Sequence, residues 1–387
     1  MQYSRNKLVD IINKRPNDIE ICDVTLRDGE QTPGTAFTTN EKKHIAQELD
    51  NIGIEVIEAG FPVVSQGERD TVREISNMGL DAKICCLSRA VIPDIDVAIG
   101  CDVDIVSIFI ATSDLHLKYK YHKTCLEATE CALGALEYAK DHGLTVRFAA
   151  EDATRTDINI LKGIFKMAED RHADYISIAD TVGILNPSTT QYLITEIKKD
   201  IKTDICIHCH DDLGMATANT IAAAEAGAKQ LHTTVNGIGE RAGNAALEEI
   251  LMSLLVQYGI DRYQTTNITK LSRMVVEYSG IKLAKNKAIV GDHAFAHESG
   301  IHVAAILEEP STYELFSPEL VGGKRSLIIG KHTGTKALKG IVQTMGYDLN
   351  HGQLCKLLEK VKDCTHAKQG IPCKRLEEFI KEIMLVD

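Results

Sequence analysis

Between residues 19 and 235 the chain alternates two textures. Short apolar, β-branched runs occur at Ile19–Val24, Val56–Ala59, Lys83–Leu87, Ile105–Ile110, Thr145–Ala150, Tyr175–Ala179, Asp204–His208 and Gln230–Val235. Longer segments between them, such as Asn40–Ile52, Lys123–Asp141 and Pro187–Ile201, space their apolar residues at helical intervals. Strands alternating with amphipathic helices predict a parallel sheet. Eight such units of roughly 30 residues each predict a (β/α)8 TIM barrel, which takes about 250 residues. The rival is an open doubly wound sheet, whose signature is a GxGxxG turn after the first strand. The turn here is Arg27-Asp28-Gly29-Glu30-Gln31 instead.

Beyond residue 262 strand-like runs become sparse and helical patterns dominate, punctuated by Pro310, Pro318, Gly322–Gly323 and Gly330. The expected organisation is a barrel over 1–262, a linker subdomain over 263–322, and a helical subdomain over 323–387.

Composition narrows the class. The 387 residues carry 43 Lys and Arg against 55 Asp and Glu, a net charge of −12. That balance argues against a nucleic-acid binder and a polybasic membrane-surface protein. The apolar runs fall far short of the roughly 20 residues that span a bilayer. Residues 1–16 are polar, without an apolar signal core. The 11 cysteines are then expected to be reduced thiols, and the expected location is cytoplasmic.

In a TIM barrel, chemistry sits where strands end. The first strand leads into Arg27, Asp28 and Gln31. A carboxylate there can hold a hard cation, and Arg and Gln can hold a substrate oxygen; a capped turn with a solvated ion pair is the plainer alternative. The seventh ends in Cys206-Ile207-His208-Cys209-His210. Strand alternation puts His208 and His210 on one face, about 7 Å apart, with Cys209 on the other. Two imidazoles and a carboxylate such as Asp28 leave open positions on a metal, as catalysis requires. The same alternation separates Cys206 from Cys209 and disfavours a redox or zinc pair.

The fifth strand aligns Arg147, Ala149 and Glu151. Arg147 either pairs with Glu151 or awaits a substrate carboxylate, because an unpaired buried guanidinium is costly. The sixth offers the hydroxyl of Thr181, and Arg89 follows the third as a further substrate-binding candidate. The glycine-rich run Asn236–Asn244 after the eighth strand could receive an anion or a cofactor, and Asn244 is a possible oxygen ligand. Farther on, His297, Glu298, His302 and Tyr313 could move protons, or be surface polar residues.

Leu26–Pro62 and His208–Glu249, continued by His297–Glu314 and Gly330–Gly334 (GKHTG), resemble the 2-isopropylmalate synthase, homocitrate synthase and citramalate synthase family over nearly the whole chain. The resemblance implies acyltransferases that condense acetyl-CoA with a 2-oxo acid, the acyl group becoming alkyl on transfer. It implies a divalent metal (Mg²⁺, Mn²⁺, Zn²⁺ or Co²⁺) on Asp28, His208 and His210, with Asn244 at or near it. Arg27 and Gln31 would position the 2-oxo acid, and Thr181 would contact its carboxylate. Glu151, His302 and Tyr313 would handle protons. His302 and Tyr313 would reach a neighbouring subunit's site, which implies a domain-swapped homodimer. The chain departs from the family's usual residues at Val24, Ala304, Asp211–Leu213 and Thr333.

The tail of the 2-oxo acid separates the family's members. A buried distal carboxylate needs a cation, and the family's homocitrate synthases resemble this chain in having an arginine four residues before the catalytic glutamate, here Arg147. Ile110–Lys120 and Tyr278–Gly291 look most like homocitrate synthases of methanogenic archaea, which lengthen 2-oxo diacids toward coenzyme B. The expected substrate is therefore 2-oxoglutarate. 3-Methyl-2-oxobutanoate, pyruvate and oxaloacetate are the alternatives, for isopropylmalate, citramalate and Re-type citrate synthesis. A catalytically idle barrel is disfavoured because Asp28, both strand histidines and Glu151 are present. A cleavage-direction aldolase is disfavoured by the His302–Tyr313 segment.

Overall fold

The computed structural model describes residues 3–4, 8–12, 15–16, 18–330, 333–364 and 371–386. Lys331 and His332 of the GKHTG signature lie outside the described residues, as do the end residues of the expected domains, 1 and 387.

Eight parallel strands close into a barrel in sequence order. They are β1 (Glu20–Asp23), β2 (Val56–Gly60), β3 (Lys83–Arg89), β4 (Ile105–Ala111), β5 (Thr145–Glu151), β6 (Tyr175–Asp180), β7 (Asp204–Cys209) and β8 (Gln230–Thr233). β8 pairs back onto β1, with Gln230 opposite Glu20 and Thr233 opposite Asp23. Each strand begins within one residue of its expected start.

Local chemistry sets the helix starts. The first barrel helix, Thr39–Ile52, begins at a capping box in which Thr38 and Glu41 satisfy each other's backbone N–H groups. Thr124 and Glu127 do the same for Cys125–Asp141. That helix therefore starts at Cys125, although the apolar spacing places Lys123 in it. Pro187 occupies the first turn of Pro187–Lys198, where its missing N–H costs nothing.

The chain forms two compact units, 5–282, and 1–4 together with 283–387. The barrel unit thus extends past the expected limit at 262. Helix Ile268–Ser279 is part of it, because Asn236 Nδ2 donates to the Ser272 carbonyl at 3.0 Å and Lys270 pairs with Glu48 at 2.7 Å. The second unit does not divide at 322. Val303, Ile329, Leu338, Leu357, Leu376 and Ile380 bury one apolar cluster from both sides of that position. Its helices are Gly300–Glu308, Thr335–Thr344, His351–Cys364 and Cys373–Val386, beside a short parallel pair, β9 (Ala296–His297) with β10 (Ser326–Leu327). Among the described residues no helix is long and apolar enough to cross a membrane.

Candidate metal and substrate site

A cavity of about 400 Å³ opens at the C-terminal ends of the strands. Asp28, His208 and His210 meet on one side of it, their ligand atoms all within 4.8 Å of one another. His208 Nε2 lies 3.1 Å from Asp28 Oδ2, His210 Nε2 lies 3.7 Å from the same oxygen, and the two imidazole nitrogens are 3.3 Å apart. Strand alternation produces this convergence, as the sequence implied. Cys206 turns to Gln230 instead, and neither it nor Cys209 is in a disulfide.

The charge balance favours a cation. Burial opposes ionisation of Asp28, but the Arg27 guanidinium and the hydrogen bond from His208 outweigh it and hold the carboxyl well below the carboxylate range. Burial and the neighbouring His208 push His210 down to about 4, leaving a neutral imidazole with a lone pair to give. The Asn244 amide oxygen is buried without a hydrogen-bond partner, while its nitrogen donates to the Ile238 carbonyl at 3.2 Å. An unpaired buried acceptor beside two imidazoles and an anion is a donor set that fits a divalent metal.

The glycine-rich loop after β8 serves this geometry. Gly239 has φ +156°, and a Cβ there would sit 2.0 Å from Asn244 Nδ2 and 3.2 Å from Asp28 Oδ1. The next residue's backbone N–H donates to Asp28 Oδ1 at 3.3 Å. The loop lets backbone pass close to the ligands; no anion is needed to explain its glycines.

Arg27, Gln31, Glu151 and Thr181 all line the cavity. Thr181 Oγ1 accepts the Asp152 N–H at 2.8 Å, and Arg241 donates to the Thr181 carbonyl at 2.6 Å while forking onto Asp212. Two arginines differ from expectation. Arg89 faces Asp94, at 2.7 and 2.9 Å, and does not line the cavity. Asp94 is buried in the first turn of helix Ile92–Ile99 and needs that partner. Arg147 does not pair with Glu151. It is fully buried, does not line the cavity, and binds Glu58 Oε2 at 2.8 Å and Cys22 Sγ at 3.1 Å, while its Nε is left without an acceptor.

Glu58 is the site residue that sequence reasoning missed. Its other oxygen accepts from Arg27 Nε at 2.5 Å, and Arg27 Nη1 reaches Asp28 at 3.1 Å. Arg147, Glu58, Arg27 and Asp28 thus form a chain of alternating charge leading to the metal ligands. The signal was a glutamate inside the buried run Val56-Ile57-Glu58-Ala59. Such a residue must have a partner, but the partner lies 89 positions away on β5. Lys120, Arg241 and His232 also line the cavity and were not singled out. In the second unit, His302 and Tyr313 stack with ring centroids 4.0 Å apart, and His297 lies 3.7 Å from Glu314.

Comparison with known proteins places these features in context. The HMGL-like family model matches residues 18–275, and the model described as homocitrate synthase post-HMGL domain-like matches residues 289–369. The chain is 66% identical to homocitrate synthase AksA of Methanosarcina acetivorans, covering 99% of this chain and 95% of that protein. It is 48% identical to 2-isopropylmalate synthase of Methanocaldococcus jannaschii, over 95% of this chain and 72% of that one. The HMG-CoA lyase structure from Bacillus subtilis superposes with a TM-score of 0.64 at 19% identity, covering 70% of this chain and 96% of that one; it shares the fold.

Proposed function

The chain belongs to the HMGL-like family, extended by a homocitrate synthase post-HMGL domain-like region, and from that premise we propose that it is a homocitrate synthase. It would condense acetyl-CoA with 2-oxoglutarate, or a longer 2-oxo diacid, and hydrolyse the thioester to release CoA. The observation that carries this reading is the convergence of Asp28, His208 and His210 beside Arg27 at the barrel mouth, in a chain 66% identical to a homocitrate synthase.

Asp28, His208, His210 and the unpaired oxygen of Asn244 would hold the divalent metal. When bound, that ion supplies Lewis-acid polarisation of the keto oxygen. Arg27 and Gln31 orient the 2-oxo acid, and Thr181 meets its C1 carboxylate. Arg147, expected to meet the distal carboxylate of 2-oxoglutarate, is fully buried on Glu58 outside the cavity, so that tail would rest on a cation that lines it. Small side chains at Ser107, Ala149 and Ser177 line the cavity and leave it wide. The acetyl methyl group loses a proton to His302, poised by the Glu151 carboxylate, and the new C–C bond forms to the keto carbon. Tyr313 assists proton delivery, and water cleaves the thioester. His302 and Tyr313 are assigned to the site of a second copy, making a domain-swapped homodimer; Tyr313 is 47% exposed and free to enter such a site. A cytoplasmic location goes with this chemistry, which draws on acetyl-CoA.

The test is product identification. Acetyl-CoA and 2-oxoglutarate with the metal-loaded protein should give a tricarboxylic hydroxy acid by mass spectrometry, with one CoA per product. An unchanged acetyl-CoA pool overturns the proposal.

A further inference from the structure

The segment after β4 is built around Glu151. Residues Ser113–Tyr121 make a helical turn at Asp114–His116 and then a π-helical turn at Leu117–Tyr121, ending with His122 in the left-handed region. π turns are frequent at functional sites. The segment is anchored at its base. Ser113 Oγ donates to the buried Asp152 carboxylate, and Leu117 packs with Ala111 and Ala128. From this base three side chains reach one carboxylate. Lys120 Nζ lies 2.6 Å from Glu151 Oε1, the Tyr121 hydroxyl donates to Oε2 at 3.4 Å, and His116 Nδ1 is 3.6 Å from Oε2.

The other groups around Glu151 are already matched. Asp152 is held by Arg155 at 2.8 Å and by Ser113, and β6 contributes only the neutral Thr181, which accepts from the Asp152 N–H. Arg241 is committed to Asp212. Among the described residues Lys120 is the one lysine or arginine within ion-pair reach of Glu151. It lines the cavity, and its side chain is 48% exposed, so it can move when substrate enters.

We propose that Lys120 is a positioning residue for this reaction: from the π turn it orients the Glu151 carboxylate at the barrel mouth, with Tyr121 and His116 beside the second oxygen. The inference rests on the reading of Glu151 as a proton-handling carboxylate.

The experiment compares the wild type, Lys120→Met and Lys120→Arg as metal-loaded full chains. One readout is kcat against KM for CoA release. The second, independent of turnover, is the ¹³C chemical shift of the Glu151 carboxyl at one neutral pH, with side-chain-labelled glutamate, assigned with Glu151→Gln. Lys120→Met should lower kcat about 10- to 100-fold with KM little changed and displace the Glu151 signal, and Lys120→Arg should restore both. A Glu151 signal that Lys120→Met leaves in place overturns the proposal. If the wild type releases no CoA from any 2-oxo acid, the functional reading fails, and the Glu151 signal still decides whether Lys120 holds that carboxylate.

Discussion

Glu58→Gln should be the most damaging single substitution in the barrel that touches no metal ligand. Glu58 is 1% exposed and serves two guanidinium groups, Arg27 at 2.5 Å and Arg147 at 2.8 Å. Burial pushes its carboxyl up, but the two arginines outweigh this and hold it below the usual glutamate range, so it is anionic at neutral pH. Gln keeps the shape and removes the charge. Arg27 retains Asp28 as a partner. Arg147, fully buried, is left with the Cys22 sulfur and an Nε that already lacks an acceptor. Breaking a buried pair from one side costs about 3–5 kcal/mol, against a total stability of about 5–15 kcal/mol. Replacing both partners removes the stranded charge. Glu58→Gln combined with Arg147→Met should therefore unfold at higher urea than Glu58→Gln alone, with a coupling of about 1–3 kcal/mol. Urea midpoints followed by far-UV circular dichroism on the four proteins complete the cycle. Additive losses, or a Glu58→Gln protein within about 1 kcal/mol of the wild type, would refute the claim that this ion chain is a structural unit.

Three further predictions follow from the same geometry. His208→Ala should lower the metal content measured after gel filtration and abolish CoA release, because the site loses one of its two imidazole donors; full retention of metal would sink the assigned site. Asp23 is fully buried and burial raises its carboxyl to about 7, so the native state holds a proton that the unfolded chain releases near 4. Its contribution to stability is thus present below about 4 and is lost as pH rises towards 7, at up to about 1.4 kcal/mol per pH unit; Asp23→Asn should flatten that slope in urea titrations at several pH values. If His302 serves a neighbouring copy, Asp28→Asn and His302→Ala proteins, each inactive, should regain activity after subunit exchange, and continued inactivity of the mixture would argue for sites completed within one chain.

Much of this was legible from local pattern. Period-two alternation placed His208 with His210, and Cys206 apart from Cys209, because strand geometry leaves no other choice. The order of strands gave the barrel, since crossover connections fix neighbours. Pairings across the barrel were not legible. Arg147 required an anion, but nothing in the neighbouring residues pointed to Glu58 rather than Glu151. Arg89 sits at a strand end, where substrate contacts concentrate, yet a buried aspartate five residues on claims it. The limit expected at 262 falls inside the larger compact unit for a similar reason. Helix Ile268–Ser279 has the spacing of the appended helices, and its bonds to Asn236, Glu48 and His44 attach it to the barrel.

The central claim is tested most directly by initial rates of CoA release from acetyl-CoA. The metal-loaded protein would be given 2-oxoglutarate, 3-methyl-2-oxobutanoate, pyruvate or oxaloacetate, each also with Arg147→Ala. The account predicts that 2-oxoglutarate has the highest kcat/KM and that Arg147→Ala lowers all four rates alike, because Arg147 is the buried partner of Glu58 and does not line the cavity. A preference for the branched or short acids would contradict it, and a selective loss of 2-oxoglutarate turnover in Arg147→Ala would contradict the placing of Arg147 outside the substrate cavity.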